Sequence, residues 1–258
     1  MIMNAKQLVV TVPREHHTEE SQETMRWFSI FVITVACVIG CSFSVFAADE
    51  EKEDSSAGLP AQYAKDYLVA RSTVSPDKKF AVIYPTLEAE EAADNANHPE
   101  RIKDYIVALE PFAILGELQT KYPYFQNENH GGISAEWSND SSVALITLDG
   151  KWGPHDVFLL EVRDGKLGRT TNILAKAHDL LLPDYRKSKA EPYNDNFDFI
   201  FDGEEGPVFK LDGADRVVID GDAVTDPKGI SEHRWTAHLE AVWNIPEAKF
   251  ASKKITNE

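Results

Sequence analysis

Residues 136 to 166, EWSNDSSVALITLDGKWGPHDVFLLEVRDGK, decide the fold. Two short runs of strand length, VALITL and VFLLEV, are bounded by Trp137-Ser138-Asn139-Asp140 at the start and by Asp149-Gly150 and Asp164-Gly165 at their ends. Asp-Gly favours tight hairpin bends because both central positions reach positive φ at low cost. The stretch therefore predicts a three-strand antiparallel meander opened by a Trp-Ser-Asn-Asp turn. His155-Asp156 has the composition of a catalytic relay. Neighbours in a strand point to opposite faces, however, so this pair reads as turn and cap residues beside Gly153-Pro154.

The same texture extends outward. YLVARSTV, KFAVIYP, DYIVALE, RVVID and WTAHLEAVW are further β-branched or aromatic runs, several of them alternating. Five Asp-Gly dipeptides, beginning at Asp149, Asp164, Asp202, Asp212 and Asp220, punctuate them and argue for antiparallel meanders. Two stretches have helical character: Leu87 to Asn95, and Thr171 to Ala190, where Asn172 is placed to cap and Pro183 to interrupt. The expectation is a mainly β fold of antiparallel meanders, forming a propeller-like partial sheet or a β-sandwich with one or two helical insertions.

VSPDKKFAVIY, from Val74, and EWSNDSSVALI, from Glu136, resemble the blade repeats of TolB-type and related β-propellers. In those repeats a Trp or apolar residue precedes Ser-Pro-Asp, a short gap and an apolar strand. Ser and Asp side chains satisfy backbone amides in such a turn, and Pro presets its own φ. Ser75-Pro76-Asp77 and Ser138-Asn139-Asp140 match, with Asn139 in place of the proline and Lys78 and Ser141 in place of a common glycine. KLDGADRVVIDG is a looser third instance. The resemblance covers about two blades, and because its motif residues are structural, it implies no catalytic role.

From Trp27 to Ala48 the chain carries no charge, and DEEKED follows immediately. Val45-Phe46-Ala47 has the small-x-small pattern of a signal-peptidase site, which places a cut between Ala47 and Ala48. Val38-Ile39-Gly40-Cys41 resembles a lipobox and offers lipidation at Cys41 as an alternative, and an uncleaved anchor is a third reading. Each of the three exports the remainder. Residues 1–24 read as an over-extended or unstructured start before Met25, 25–47 as the signal, 48–62 as a flexible acidic leader and 63–258 as one β-rich domain. Both cysteines, Cys37 and Cys41, lie inside the apolar run, so the exported domain has neither disulfides nor zinc-thiolate sites nor a cysteine nucleophile.

With 43 acidic against 26 basic residues the net charge is -17, a balance that repels nucleic acid and anionic lipid. There is no Walker motif, no Gly-x-Gly-x-x-Gly and no Gly-x-Ser-x-Gly, so no nucleotide cofactor or standard serine hydrolase is expected. His130 precedes two glycines in NENHGG, a composition suited to a functional loop. Asp195, Asp198 and Asp202 in YNDNFDFIFDGEEG supply oxygens of the kind calcium takes, without the glycine-led turn of an EF-hand. Trp235, Trp243, Phe250, Tyr122, Tyr124 and Phe125 are either core residues or the lining of a sugar or peptide groove. The functional expectation is an exported, acidic, non-enzymatic module that binds a protein or small ligand. The alternative is an exported hydrolase whose site gathers His130, Glu136 and Asp156 from separate loops.

Overall fold

The computed structural model describes residues 54–98, 102–190, 199–203, 206–230 and 232–257. The apolar segment read as an export signal, with Cys41, Ala47 and Ala48, lies outside them, as do Asp195 and Asp198. No helix among the described residues is long and apolar enough to cross a membrane.

The protein is mainly β, built from three antiparallel sheets that follow one another along the chain. The first contains β1 (Tyr67–Ala70), β2 (Phe80–Pro85), β3 (Tyr105–Leu109) and β4 (Phe112–Glu117) in sequence order. The second contains β5 (Gly132–Trp137), β6 (Val143–Gly150), β7 (Gly153–Arg163) and β8 (Lys166–Asn172), again in order. In the third, β9 (Ile200–Asp202) and β10 (Phe209–Asp212) both pair with β11 (Arg216–Val224), which is followed by β12 (Thr236–Asn244) and β13 (Lys249–Asn257).

The Ser-x-Asp turns stand at equivalent places, just before the second strand of the first and second sheets. In one, the Ser75 hydroxyl donates to Asp77 Oδ1 over 2.7 Å and accepts from the Phe80 amide at 3.0 Å. In the other, the Ser138 hydroxyl donates to Asp140 Oδ1 over 2.7 Å and accepts from the Val143 amide at 3.0 Å. Lys78 and Ser141 occupy the same left-handed conformation, with φ of 60° and 58°. The two turns also meet, for the Asp77 amide donates to Ser141 Oγ at 3.3 Å. KLDGADR forms the β10–β11 bend instead, with Gly213 at φ 69°.

Of the five Asp-Gly pairs, Asp164-Gly165 is a two-residue hairpin between β7 and β8, and Asp212-Gly213 begins a bend. Asp149-Gly150 ends β6 one step before the turn at Lys151-Trp152, and Asp202-Gly203 ends β9. Asp220-Gly221 lies inside β11, where tight packing requires the glycine. A Cβ on Gly221 would sit 2.7 Å from Val208 Cγ2 and 2.8 Å from the Asp202 carbonyl.

The second sheet has a core on each face. Ala144, Ile146, Leu148, Phe158 and Leu160 pack with Ala70, Val82, Tyr84 and Ile106 of the first sheet and its flanks. Val143, Leu145, Val157 and Leu159 pack with α3 (Ile173–Ser188) and with the third sheet, including Leu239, Trp235 and Trp243. Trp235 and Trp243 are thus core residues, buried to within a few per cent. The far face of the first sheet is covered by Leu59, Tyr63 and Ala64 from the chain around α1 (Ala61–Ala64).

The leader expected to be flexible to residue 62 is attached to the fold from Asp54 onward. Asp54 accepts from the Arg71 amide at 2.8 Å and from the Tyr84 hydroxyl at 2.7 Å, and the Val69 amide donates to Ser55. Of the two helices expected from the sequence, α2 (Leu87–Asn95) is capped by Thr86, and α3 by Asn172, whose Oδ1 accepts from the Ala175 amide at 2.9 Å. Pro183 does not interrupt α3 as expected. Ile173, Ala177 and Leu181 lie one turn apart and fully buried, and this packing holds the helix through the missing N–H.

Candidate functional site

The residues proposed for a hydrolase do not converge. Glu136 faces the third sheet, where its Oε2 accepts from the Leu211 amide at 2.8 Å. Asp156 shares a face with Phe158 and Leu160, toward the first sheet, and is buried there. It accepts from the Thr120 hydroxyl at 2.8 Å, the Lys121 amide at 3.2 Å and the Asn172 side chain at 2.7 Å. The two carboxylates therefore occupy opposite faces of the second sheet, and each has a structural partner. His130 is exposed in a left-handed turn at φ 64°. Among the described residues no hydrogen bond joins any two of these three.

A polar cluster forms beside Asp156. Asp104, just before β3, is fully buried; its Oδ2 accepts from the Tyr124 amide at 2.8 Å, while Oδ1 has no partner. Glu128 Oε2 and His155 Nε2 are likewise buried without a hydrogen-bond partner. Burial pushes the Asp104 carboxyl up to about 8, with the charge of Glu128 adding to the effect and the Tyr124 amide opposing it. Burial also raises Glu128 and Asp149, and His155 opposes the rise in both. His155 stands at a bulge opposite Asp149 and packs edge-on to Tyr122. His155 and Asp156 serve different partners, but not by simple alternation: both lie in β7, the bulge falls at His155, and both side chains meet the connection from β4 to β5, His155 at Tyr122 and Asp156 at Thr120 and Lys121.

A second polar group lies on the outer face of the third sheet. Alternation in β11 and β12 turns Val217, Ile219, Ala237, Leu239, Ala241 and Trp243 inward. Asp220, Asp222, His238 and Glu240 consequently face outward, with Asp222 opposite His238 and Asp220 opposite Glu240. His238 is held between two carboxylates, with Nδ1 2.7 Å from Asp222 Oδ1 and Nε2 3.0 Å from Asp220 Oδ1. The hydrogen bond with Asp222 raises the imidazole pKa, and the nearby charges of Asp222 and Asp220 reinforce it. Lys254 of β13 pairs with Glu240 and holds that carboxyl below its ordinary value.

The short strands β9 and β10 leave a gap along the edge of β11. A hollow of about 500 Å³ opens there, bounded by Gly203, Pro207, Val208, Lys210, Asp222 and His238. A shallower one of about 330 Å³ adjoins it through Val218 and Asp220 and reaches Ser252 and Lys254 on β13. Together they form a trough across the strands, with Val218 and Val242 on its floor and charged side chains along its rims. Both nitrogens of His238 are engaged by carboxylates, so the ring is not set up as a base for a nucleophile.

Asp202, proposed as a calcium ligand with Asp195 and Asp198, ends β9 opposite Asp222. Among the described residues no group of three His, Cys, Asp or Glu side chains is arranged to hold a metal ion. Sequence reasoning took Asp220 only as part of a turn and did not select Asp104, Asp222 or His238. The alternation of DGDAV and TAHLEAV carried the signal for one outward face, but the pairing of Asp222 with His238 depends on register. Comparison with known proteins gave no match to a family model, a curated protein or a solved structure.

Proposed function

We propose that the protein is an exported, non-enzymatic binding module and that the outer face of its third sheet receives the ligand. The observation that carries this reading is the trough over β11, β12 and β13, a sheet face left uncovered by the described residues, with an apolar floor and charged rims. The apolar run ending at Ala47 supports export, and the Ser-x-Asp turns support a propeller-like scaffold. Trp235 and Trp243 are buried, so the trough has no indole platform for a sugar ring. Alternating charges across several strands suit an extended peptide segment of a partner protein, whose backbone and charged side chains can meet both rims.

The test compares capture from envelope extract by the wild-type protein and by an Asp220→Asn/Asp222→Asn variant. A partner retained by the first and lost by the second supports the reading. Turnover of ester, peptide or glycoside substrates by the purified protein, with no partner retained, would overturn it.

A further inference from the structure

The connection from β4 to β5 crosses the seam between the first and second sheets as a strap, and two buried carboxylates fasten it. Asp156 receives the Thr120 hydroxyl and the Lys121 amide, and its other oxygen is bonded to Asn172. Asp104 receives the Tyr124 amide alone. Between and beyond these fastenings the Gln126 amide donates to the Pro85 carbonyl at 3.1 Å, and Tyr124 packs edge-on against Tyr84 with ring centres 4.8 Å apart.

The two fastenings differ in charge balance. Asp156 has donors on both oxygens, whereas Asp104 is fully buried with Oδ1 unpartnered. The titratable groups that face Asp104 from the surrounding elements are Glu128 and Tyr124 of the strap and Tyr67 of β1. Among the described residues none of these supplies a positive charge. His155 and Asp149 of the β6–β7 hairpin face Glu128 in turn. Lys103, next to Asp104 in the chain, pairs with Glu117 on β4 at 2.8 Å. An ionised carboxylate so placed loses its hydration and gains one amide, and it also meets the carboxylate of Glu128.

We propose that Asp104 is the pH-sensitive fastening of the strap Thr120–Gly131, which closes over the seam when Asp104 is protonated and opens as it ionises. The raised pKa of Asp104 is consistent with this. The sign follows from proton linkage. The closed form binds a proton that the open, hydrated form releases near ordinary carboxylate pH, so opening becomes easier as pH rises through the interval between the two values. The solution outside the cytoplasm follows external pH more closely than the cytoplasm does, so in an exported protein this strap would respond to its surroundings.

Hydrogen exchange of the Tyr124 amide, expressed as a protection factor to remove the intrinsic pH dependence, tests the proposal. Protection is expected to fall by up to about tenfold per pH unit between about pH 5 and 8 and then to level off. Asp104→Asn retains an oxygen for the Tyr124 amide and cannot ionise, so the steep fall in protection should be lost, leaving only the weaker pH dependence that Glu128 of the strap contributes. Glu128→Gln should move the wild-type transition to lower pH. Flat protection in the wild type, or an unchanged transition in Asp104→Asn, would overturn the proposal. If Asp104→Asn fails to fold, carboxyl carbon NMR of the wild type decides, and an Asp104 midpoint below about 6 refutes it.

Discussion

At the scale of single residues, the Ser-x-Asp turns show how two short side chains set the entry to a strand. Ser138→Ala removes both the acceptor for the Val143 amide and the donor to Asp140. We expect a loss of about 1–2 kcal/mol in urea unfolding. Lys78 supports the same turn geometry against its own backbone preference, since an L-residue in the left-handed region costs about 1–2 kcal/mol and glycine escapes this at an entropic cost of about 0.5–1 kcal/mol. Lys78→Gly should therefore stabilise the protein by about 0.5 kcal/mol in the same assay, and Lys78→Val should destabilise it. These turns were legible in the sequence because the bonds that shape each one lie within five residues, whereas the bond between them, from the Asp77 amide to Ser141, spans 64 residues. Asp104 was not legible. Its burial and its bond to Tyr124 come from a contact twenty residues away in the chain, and nothing in IKDYIV distinguishes a capping aspartate from a buried one.

At the scale of elements, the strands visible in the sequence are chiefly central ones. β2 and β3, β6 and β7, and β11 and β12 each lie between two neighbours, bury apolar residues and alternate or run hydrophobic. β4, β5, β9, β10 and β13 border the sheets and escaped notice, as KFASKKITN illustrates, and β8, KLGRTTN, was marked only by the Asp164-Gly165 bend before it. Edge strands carry polar and charged residues that discourage pairing with other chains, which removes the pattern by which strands are recognised. β1 is the edge strand that was seen. Gly221 shows a different limit, since its Asp-Gly pair looks like a turn but serves close packing between β11 and the β9–β10 connection. Gly221→Ala should cost about 2–3 kcal/mol by thermal unfolding, through its clash with Val208 and the Asp202 carbonyl. The same change should weaken partner capture by displacing the rim of the trough.

At the scale of the molecule, stability should be greatest on the acid side of neutrality. Asp104 has a folded-state pKa of about 8 against an ordinary value of 3.8, so the stability it contributes in acid is lost as pH rises through that interval. The full shift corresponds to an upper limit on the order of 6 kcal/mol. His238 acts in the same direction, contributing below its ordinary 6.5 and losing that contribution as pH rises through its raised value. Asp77 and Asp140 act oppositely, because their lowered pKa values stabilise above 3.8 and the benefit is lost as pH falls. Urea midpoints should therefore peak at about pH 4 and decline toward pH 8, and Asp104→Asn should flatten the alkaline limb. The two-sided core of the second sheet also bears on how the protein is made. When a growing or translocating chain has delivered residues up to about 190, the first two sheets can join, but Val143, Leu145, Val157 and Leu159 still await Leu239 and Trp243. That interval leaves a wet apolar surface, so the order in which the chain emerges creates a window for misassembly that closes only when its last strands arrive.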